Sequence, residues 1–374
     1  MPNQELRPVR IGVVLNSLPN EGEEIIEEQY IIGNEVYSEI KEVLEAHGAI
    51  VSQIEARGDL YQRFNGVEGN IDILFNLAQD IYQVGVPMVI EQLKLEKKNQ
   101  FLEYTGARFE GHTLALNKAL ARTVLNDKVT QPEWWFLEDE NAPIPDGIEY
   151  PIIVKPVNEA HSIGIRQSNV VSSQEELEAR LTQLRERVGG GMLLESFLDG
   201  HEYSMGIVGN VIFPSVTWNL DELPGKPLVR GEDLKQNDLT TPHADYVRDP
   251  EIALALATQV ATTHMELGLF DYSRSDFRAR KGSSDPYFIE VNSGCGLRNH
   301  TSLLPLTASK AGVSYSDLIA SIAAQALQRL QPAHRNQLDT SKFDATFSNL
   351  QERAKAQKVI HVKGQPFFVM GIVN

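Results

Sequence analysis

An α/β chain of more than one domain is what this sequence predicts, and three observations carry the expectation. Its 374 residues exceed one ordinary domain, and a hydrophobic share of 42% allows each unit its own core. Short apolar runs alternate with helix-spaced stretches from the N-terminus onward. Two later segments, 271–278 and 287–292, alternate polar and apolar residues as strands do.

Taken in order, Arg10–Leu15 reads as a first strand. A helix follows over about 25–46, where Ile32, Val36, Ile40, Val43 and Leu44 form one stripe. Val51–Ile54 and Ile71–Phe75 read as further strands of an open unit with a parallel sheet, and Tyr104-Thr105-Gly106 reads as a junction. One helix is expected over Thr113–Asn126, with Lys118 on an apolar stripe, and a buried strand over Tyr150–Lys155. The loop 156–165 is small and polar. Ser173 and Glu176 have capping-box spacing and open a helix to about Val188, stopped by three glycines. Met192–Ser196 and Glu202–Val208 are strands around Asp199-Gly200, and Pro250–Leu267 is a helix. Between them, 219–248 is long and rich in charge, Pro and Gly, as functional lids often are. Ser314 caps a helix ending near Leu330. After Pro332 come a polar helix over 341–357 and two apolar runs around Lys363-Gly364-Gln365, which predict a hairpin that is buried rather than disordered. The expected division is 1–106, 107–198, 199–331 and a C-terminal extension, 332–374.

The 34 basic against 51 acidic residues give a net charge of −17, which argues against a nucleic-acid-binding surface. It leaves ATP open, because a few lysines in a cleft act locally. With Cys295 as the one cysteine, no intrachain disulfide or cysteine zinc site can form, which suits a reducing cytoplasm. The polar N-terminus lacks a signal core, and no apolar run approaches the ~20 residues of a membrane span. A soluble cytoplasmic protein is expected.

The chemistry lies in the two alternating segments. Arg274 and Asp276 share one face of the first strand, and Glu290 and Asn292 share one face of the second. Ile289 and Val291 are then expected to point into a core. If the strands pair, three hard oxygen ligands and a fixed cation converge, a set suited to Mg²⁺ carrying nucleotide phosphates. Lys155, ending a buried strand, is well placed to neutralise phosphate.

Several pieces, in order, resemble the ATP-grasp superfamily and within it the D-alanine–D-alanine ligase-like carboxylate–amine ligases. They are 152–156 (IIVKP), 161–165 (HSIGI), 194–202 (LESFLDGHE), the two alternating strands, Gly296-Leu297 and 302–305 (SLLP). The likeness runs from about Asp72 to Leu330, and 75–78, 86–87 and 114–118 resemble one branch of these ligases. It implies an N-terminal open α/β domain followed by two ATP-grasp subdomains clasping ATP.

Residue roles follow from the resemblance. Lys118 and Lys155 would reach the phosphates, and Ser162 would lie in the mobile loop that covers them. Glu195 would face the adenine amino group, with backbone atoms of Phe197 and Leu198 beside it. Glu202 would hold the ribose, and Lys235 is the match to a further phosphate-binding lysine. Asp276, Glu290 and Asn292 would bind metal, two Mg²⁺ ions with Mn²⁺ as the alternative. Arg274 and the Gly296 N–H would stabilise the oxyanion. Glu27 or Glu28 would supply an ammonium-binding acid, and Arg298 and Ser302 would meet the second substrate. The implied reaction is ADP-forming: an acyl phosphate forms and an amine displaces phosphate. Small amino-acid or carboxylate substrates are the expected partners, with a homodimer through the tail left open. Departures occur at 16–24, at Gln79-Asp80 and in 294–301, which is one residue longer than usual. They leave three readings: a dipeptide-type ligase, a ligase that joins an amino acid to a natural-product scaffold of the mycosporine type, and a non-catalytic nucleotide-binding regulator. Cys295, beside the metal strand, has no basic partner in sequence that would make it a nucleophile.

Overall fold

A computed structural model describes residues 6–16, 27–67, 70–139, 141–158, 165–223, 228–231 and 244–372, without the side chains of 27–32 and 188. Ser162 and Lys235, two expected phosphate-side residues, lie outside it, as does the side chain of Glu28.

The first sheet is parallel throughout, in the order Ile50–Glu55, Arg10–Leu15, Ile73–Asn76, Glu103–Tyr104. Parallel strands need crossovers, and helices Glu27–Ala46 and Ile81–Leu95 supply two of them. Ile40 and Leu44 are buried, and Val36 and Val43 pack against the same cluster, as their spacing predicts.

The second sheet is antiparallel: Trp134–Leu137, Met192–Ser196, Ile152–Pro156, Val170–Val171. Helix Gln174–Val188 covers it, and Ser173 Oγ accepts from the Glu176 N–H at 3.3 Å. The carboxylate of Glu176 turns to the Ser172 N–H at 2.7 Å, one residue earlier than the capping box predicts.

Strand Glu202–Val208 is the spine of the third sheet. On one side it pairs with Val216–Trp218 and Val211–Ile212, and on the other with Tyr272–Arg278 over seven residues. Tyr287–Asn292 completes that flank. The tail adds two strands: Gln365–Val369 pairs with Val211–Ile212, and Lys358–Val362 pairs with Gln365–Val369. The expected hairpin is therefore present, with Phe367, Val369, Met370 and Ile372 buried. Tail helix Ser341–Lys355 packs through Phe343, Phe347 and Leu350 into the cluster of helix Tyr315–Arg329. The tail also reaches the N-terminal segment, where Leu338–Asp339 and Arg7–Pro8 pair parallel as a separate two-stranded sheet.

The single helix expected over Thr113–Asn126 is two helices, Phe109–Leu116 and Lys118–Val124. Asn117 causes the break: its backbone is extended, and its side chain accepts from the Leu120 N–H at 2.9 Å, which caps the second helix. Lys118 is thus the first residue of a helix rather than part of a continuous stripe. Among the described residues, no helix is long and apolar enough to cross a membrane.

Candidate active site

Strands Tyr272–Arg278 and Tyr287–Asn292 pair antiparallel, with Arg274 opposite Asn292 and Asp276 opposite Glu290. The four polar side chains therefore meet on one face. Asp276 is the hub. Its Oδ1 accepts from Ser204 Oγ at 2.5 Å and from Arg274 Nε at 3.0 Å. Its Oδ2 accepts from Arg274 Nη2 at 2.8 Å and from Asn292 Nδ2 at 3.3 Å. Burial works against the Arg274 charge, but Asp276 outweighs it, so the guanidinium stays firmly protonated.

One expectation fails here. Val291 points into the core, but Ile289 lines the cleft. The pairing slips after Asp276, so Phe277 faces Phe288 and Ile289 is the extra residue of a bulge. Bulges re-aim side chains next to active sites in this way.

The cleft in front of these strands holds about 800 Å³ of empty space. Its walls bring together Lys118, Lys155, Glu195, Phe197, Leu198, Glu202, Asp276 and Glu290. Lys118 Nζ lies 3.9 Å from Glu290 Oε2, and the Lys118 N–H donates to Val157 O at 3.1 Å. Lys155 Nζ donates to Glu195 Oε1 at 2.8 Å.

Glu195 is 2% exposed, and Arg122 takes its second oxygen. Both oxygens are bound by buried cations, so the carboxylate is a partner of Lys155 in addition to lining the cleft. Glu202 likewise sits between cations, 3.5 Å from Arg278 Nη1 and 3.9 Å from Arg230 Nη1. Arg278 stacks over the Phe197 ring at 4.8 Å and donates to Leu228 O at 2.7 Å. Arg230 stacks on Trp218 at 3.5 Å.

Arg122, Arg278 and Arg230 were not singled out in the sequence. Arg278 had a signal, because it shares strand parity with Arg274 and Asp276. Arg122 had one too, one helical turn after Lys118.

The remaining predicted residues lie beside this cleft. A Cβ on Gly296 would meet Ser302 Oγ at 2.8 Å, and that same oxygen accepts from the Arg298 N–H at 3.0 Å. The Arg298 side chain turns away to pair with Glu35, and the Asn299 N–H donates to Glu39 at 3.0 Å, so the loop is tied to helix Glu27–Ala46. Cys295 is buried, and burial pushes its thiol up to about 12, which leaves no thiolate for nucleophilic work.

Among the described residues, no group of three His, Cys, Asp or Glu side chains is arranged to hold a metal. At the paired strands Asp276 and Glu290 line this cleft, and Asn292 lines the neighbouring hollow with Glu290, so the donors offered there are two carboxylates and an amide. That set is hard and incomplete, and it fits a hard cation that shares its coordination with phosphate oxygens.

Comparison with known proteins agrees with this geometry. The family model described as D-ala D-ala ligase C-terminus matches residues 123–324, more than half of the chain. The D-alanine–D-alanine ligase of Geobacter sulfurreducens is 28% identical over 334 residues, covering 87% of this chain and 96% of that protein. The one from Maridesulfovibrio salexigens is 30% identical over 233 residues, covering 59% and 70%. An uncharacterized protein, y4sG of Sinorhizobium fredii, is 27% identical over 271 residues, covering 70% and 75%. The crystal structure of D-alanine–D-alanine ligase from Bacillus anthracis complexed with ATP superposes with a TM-score of 0.66 at 19% identity, covering 86% of this chain and 98% of that one. With its parallel N-terminal sheet, two further sheets flanking a cleft and this match, the chain belongs to the D-alanine–D-alanine ligase-like family of the ATP-grasp fold.

Proposed function

We propose that the protein is an ADP-forming carboxylate–amine ligase that joins amino-acid-type substrates through an acyl phosphate. The observation that supports this best is the meeting of Arg274, Asp276, Glu290 and Asn292 on one face, with Lys118 and Lys155 lining the same cleft. In this reading Lys118 and Lys155 bind the ATP phosphates, Phe197 and Leu198 border the base, and Glu202 accepts from the ribose. Asp276, Glu290 and Asn292 hold the divalent cation, which offsets phosphate charge when bound. A substrate carboxylate oxygen attacks the γ-phosphorus, and the bond to the β-phosphate oxygen breaks, giving an acyl phosphate and ADP. The amine nitrogen then adds to the acyl carbon. Arg274 and the Gly296 N–H stabilise the oxyanion, and phosphate leaves as the nitrogen loses its proton. Ser162, Lys235, Glu28, Arg298 and Ser302 belong to the same proposal, as do the division at 106, 198 and 331 and a cytoplasmic location.

A second reading is an amino acid joined to a larger scaffold. Arg298 and Asn299 fasten the amine-side loop to Glu35 and Glu39, so this wall is built partly by the N-terminal helix. ADP release across a panel of amino acids and small carboxylates, with mass spectrometry of the product, tests both. D-alanine as acid and as amine gives the dipeptide in the first reading. ADP formed only with a carboxylate that is not an amino acid selects the second, and ATP binding with no ADP from any pair refutes ligase action altogether.

A further inference from the structure

Among the described residues, the cations and carboxylates that line the cleft are equal in number. Lys118, Lys155, Arg230 and Arg278 face Glu195, Glu202, Asp276 and Glu290. Such a balanced lining leaves little excess charge of its own to meet a triphosphate. Two arginines stand behind it, Arg274 against Asp276 and Arg122 against Glu195.

Arg122 is fully buried, and no sequence motif assigns it a role. Its Nη2 donates to Glu195 Oε2 and to Ile289 O at 3.0 Å, and its Nη1 donates to Phe288 O at 3.3 Å. One side chain thus touches the partner of Lys155 and the residue before Glu290, and it rides on the helix that begins with Lys118. Without Arg122, Glu195 and Lys155 would form a neutral pair. With it, two cations share one carboxylate, and the group carries a single positive charge. Among the described residues, Lys155 Nζ bonds only to Glu195. Burying three charged groups is costly unless they are mutually satisfied, and here one cation remains in excess.

We infer that Arg122 is a positioning residue which neutralises Glu195 so that the charge of Lys155 remains available to a nucleotide phosphate. The Arg122–Glu195–Lys155 group is a charge device: its excess is compensated when ATP enters, and interaction in this low-dielectric setting is strong. The inference rests on the ligase reading only in taking ATP as the ligand.

Three variants separate charge from packing. Arg122→Met keeps the volume, removes the charge and the carbonyl bonds, and leaves Glu195 to cancel Lys155. Glu195→Gln leaves both cations. The double variant Arg122→Met/Glu195→Gln lacks the carbonyl bonds as the first does, yet restores the single positive charge. ATP·Mg²⁺ binding is measured by calorimetry on the full chain, with circular dichroism to confirm folding. Arg122→Met is expected to weaken binding at least about tenfold, and the double variant to recover to within about threefold of the parent. A folded double variant that binds as weakly as Arg122→Met, or more weakly, overturns the inference, because a structural role predicts accumulating damage. Should Arg122→Met not fold, Glu195→Gln decides alone: unchanged or tighter binding supports the inference, and loss of about tenfold or more overturns it. A parent chain that binds no ATP sinks the ligase reading and the inference with it. A parent that binds ATP without rescue in the double variant sinks the inference alone.

Discussion

The cleft and the C-terminal tail both pair charged side chains, and they use them differently. In the tail, charges close on one another. Arg335 donates to Asp344 at 2.6 Å, and Thr340 Oγ1 donates to the same carboxylate oxygen at 2.6 Å. Buried Asp72 of the N-terminal sheet accepts from Arg7 at 2.7 and 2.8 Å, from the Arg10 N–H at 2.8 Å and from tail His334 at 2.9 Å. These groups surround an apolar joint built from Phe343, Phe347 and Leu350. In the cleft, by contrast, each carboxylate meets a cation and two arginines remain over. Two cations share one carboxylate at Asp72, where Arg7 and Arg10 fasten elements together, and at Glu195, where Arg122 and Lys155 border the space a ligand would enter. A substitution in the cleft should therefore act on turnover, and one in the tail on stability.

Glu290→Gln gives the largest expected effect. Removing one proposed metal ligand costs several kcal/mol of transition-state stabilisation, or about a thousandfold in the rate of ADP release. The thermal midpoint should move little, because the carboxylate is partly exposed at the cleft wall. Full activity in Glu290→Gln would break the proposed site. Loss of activity together with unfolding would break the distinction from the tail.

The tail counterpart is Phe343→Ala. Phe343 is fully buried, and its ring lies 5.3 Å from that of His47. Truncation leaves a cavity and should cost ~3–5 kcal/mol in urea unfolding. The KM for ATP should stay within about twofold, since truncation in the tail removes packing and no transition-state contact. A large KM change would mean that the tail also sets the cleft geometry.

These contrasts were only partly visible in the sequence. Strand parity placed Arg274 with Asp276 and Glu290 with Asn292, because side-chain alternation is a local property. The bulge at Ile289 was not legible, because it depends on how two strands slip against each other. The helix break at Asn117 was legible in principle, since Asn is a preferred N-cap, but helical spacing on both sides masked it. Arg122 and Glu195 are 73 residues apart, and nothing local predicts that they meet. The tail hairpin was easy by comparison, with two apolar runs around Lys363-Gly364 and positive φ at both residues, 50° and 78°.

The acid response sharpens the tail side further. Burial raises the Asp72 carboxyl, but bonds from Arg7, the Arg10 N–H and His334 outweigh it, so its folded pKa lies below the ordinary value. A depressed carboxyl contributes stability in full above the unfolded value, ~3.9, and loses it as pH falls toward the folded one. Asp72→Asn should be less stable than the parent by ~1–3 kcal/mol near neutrality. The gap should shrink below about pH 4, where the parent's own carboxylate protonates. Urea midpoints of both chains from pH 7 to 3 check this, and a constant gap would show that Asp72 is not the group that titrates.

Cys295 gives the smallest expected effect and tests the cleft from behind. The thiol is 4% exposed, with its ionisation pushed up to about 12 by burial, although Arg274 draws it down. A group held protonated that far above neutrality is a poor nucleophile, and the acyl-phosphate route needs none. Cys295→Ala should retain ADP release to within about twofold, losing only the packing of one sulfur atom. Iodoacetamide at pH 8 should leave the folded chain unlabelled and label it once urea exposes the thiol. If Cys295→Ala kept ATP binding but lost turnover, a thioester would have to follow the acyl phosphate, with the thiolate displacing phosphate before the amine attacks, and Arg274 would be the group that activates the thiol.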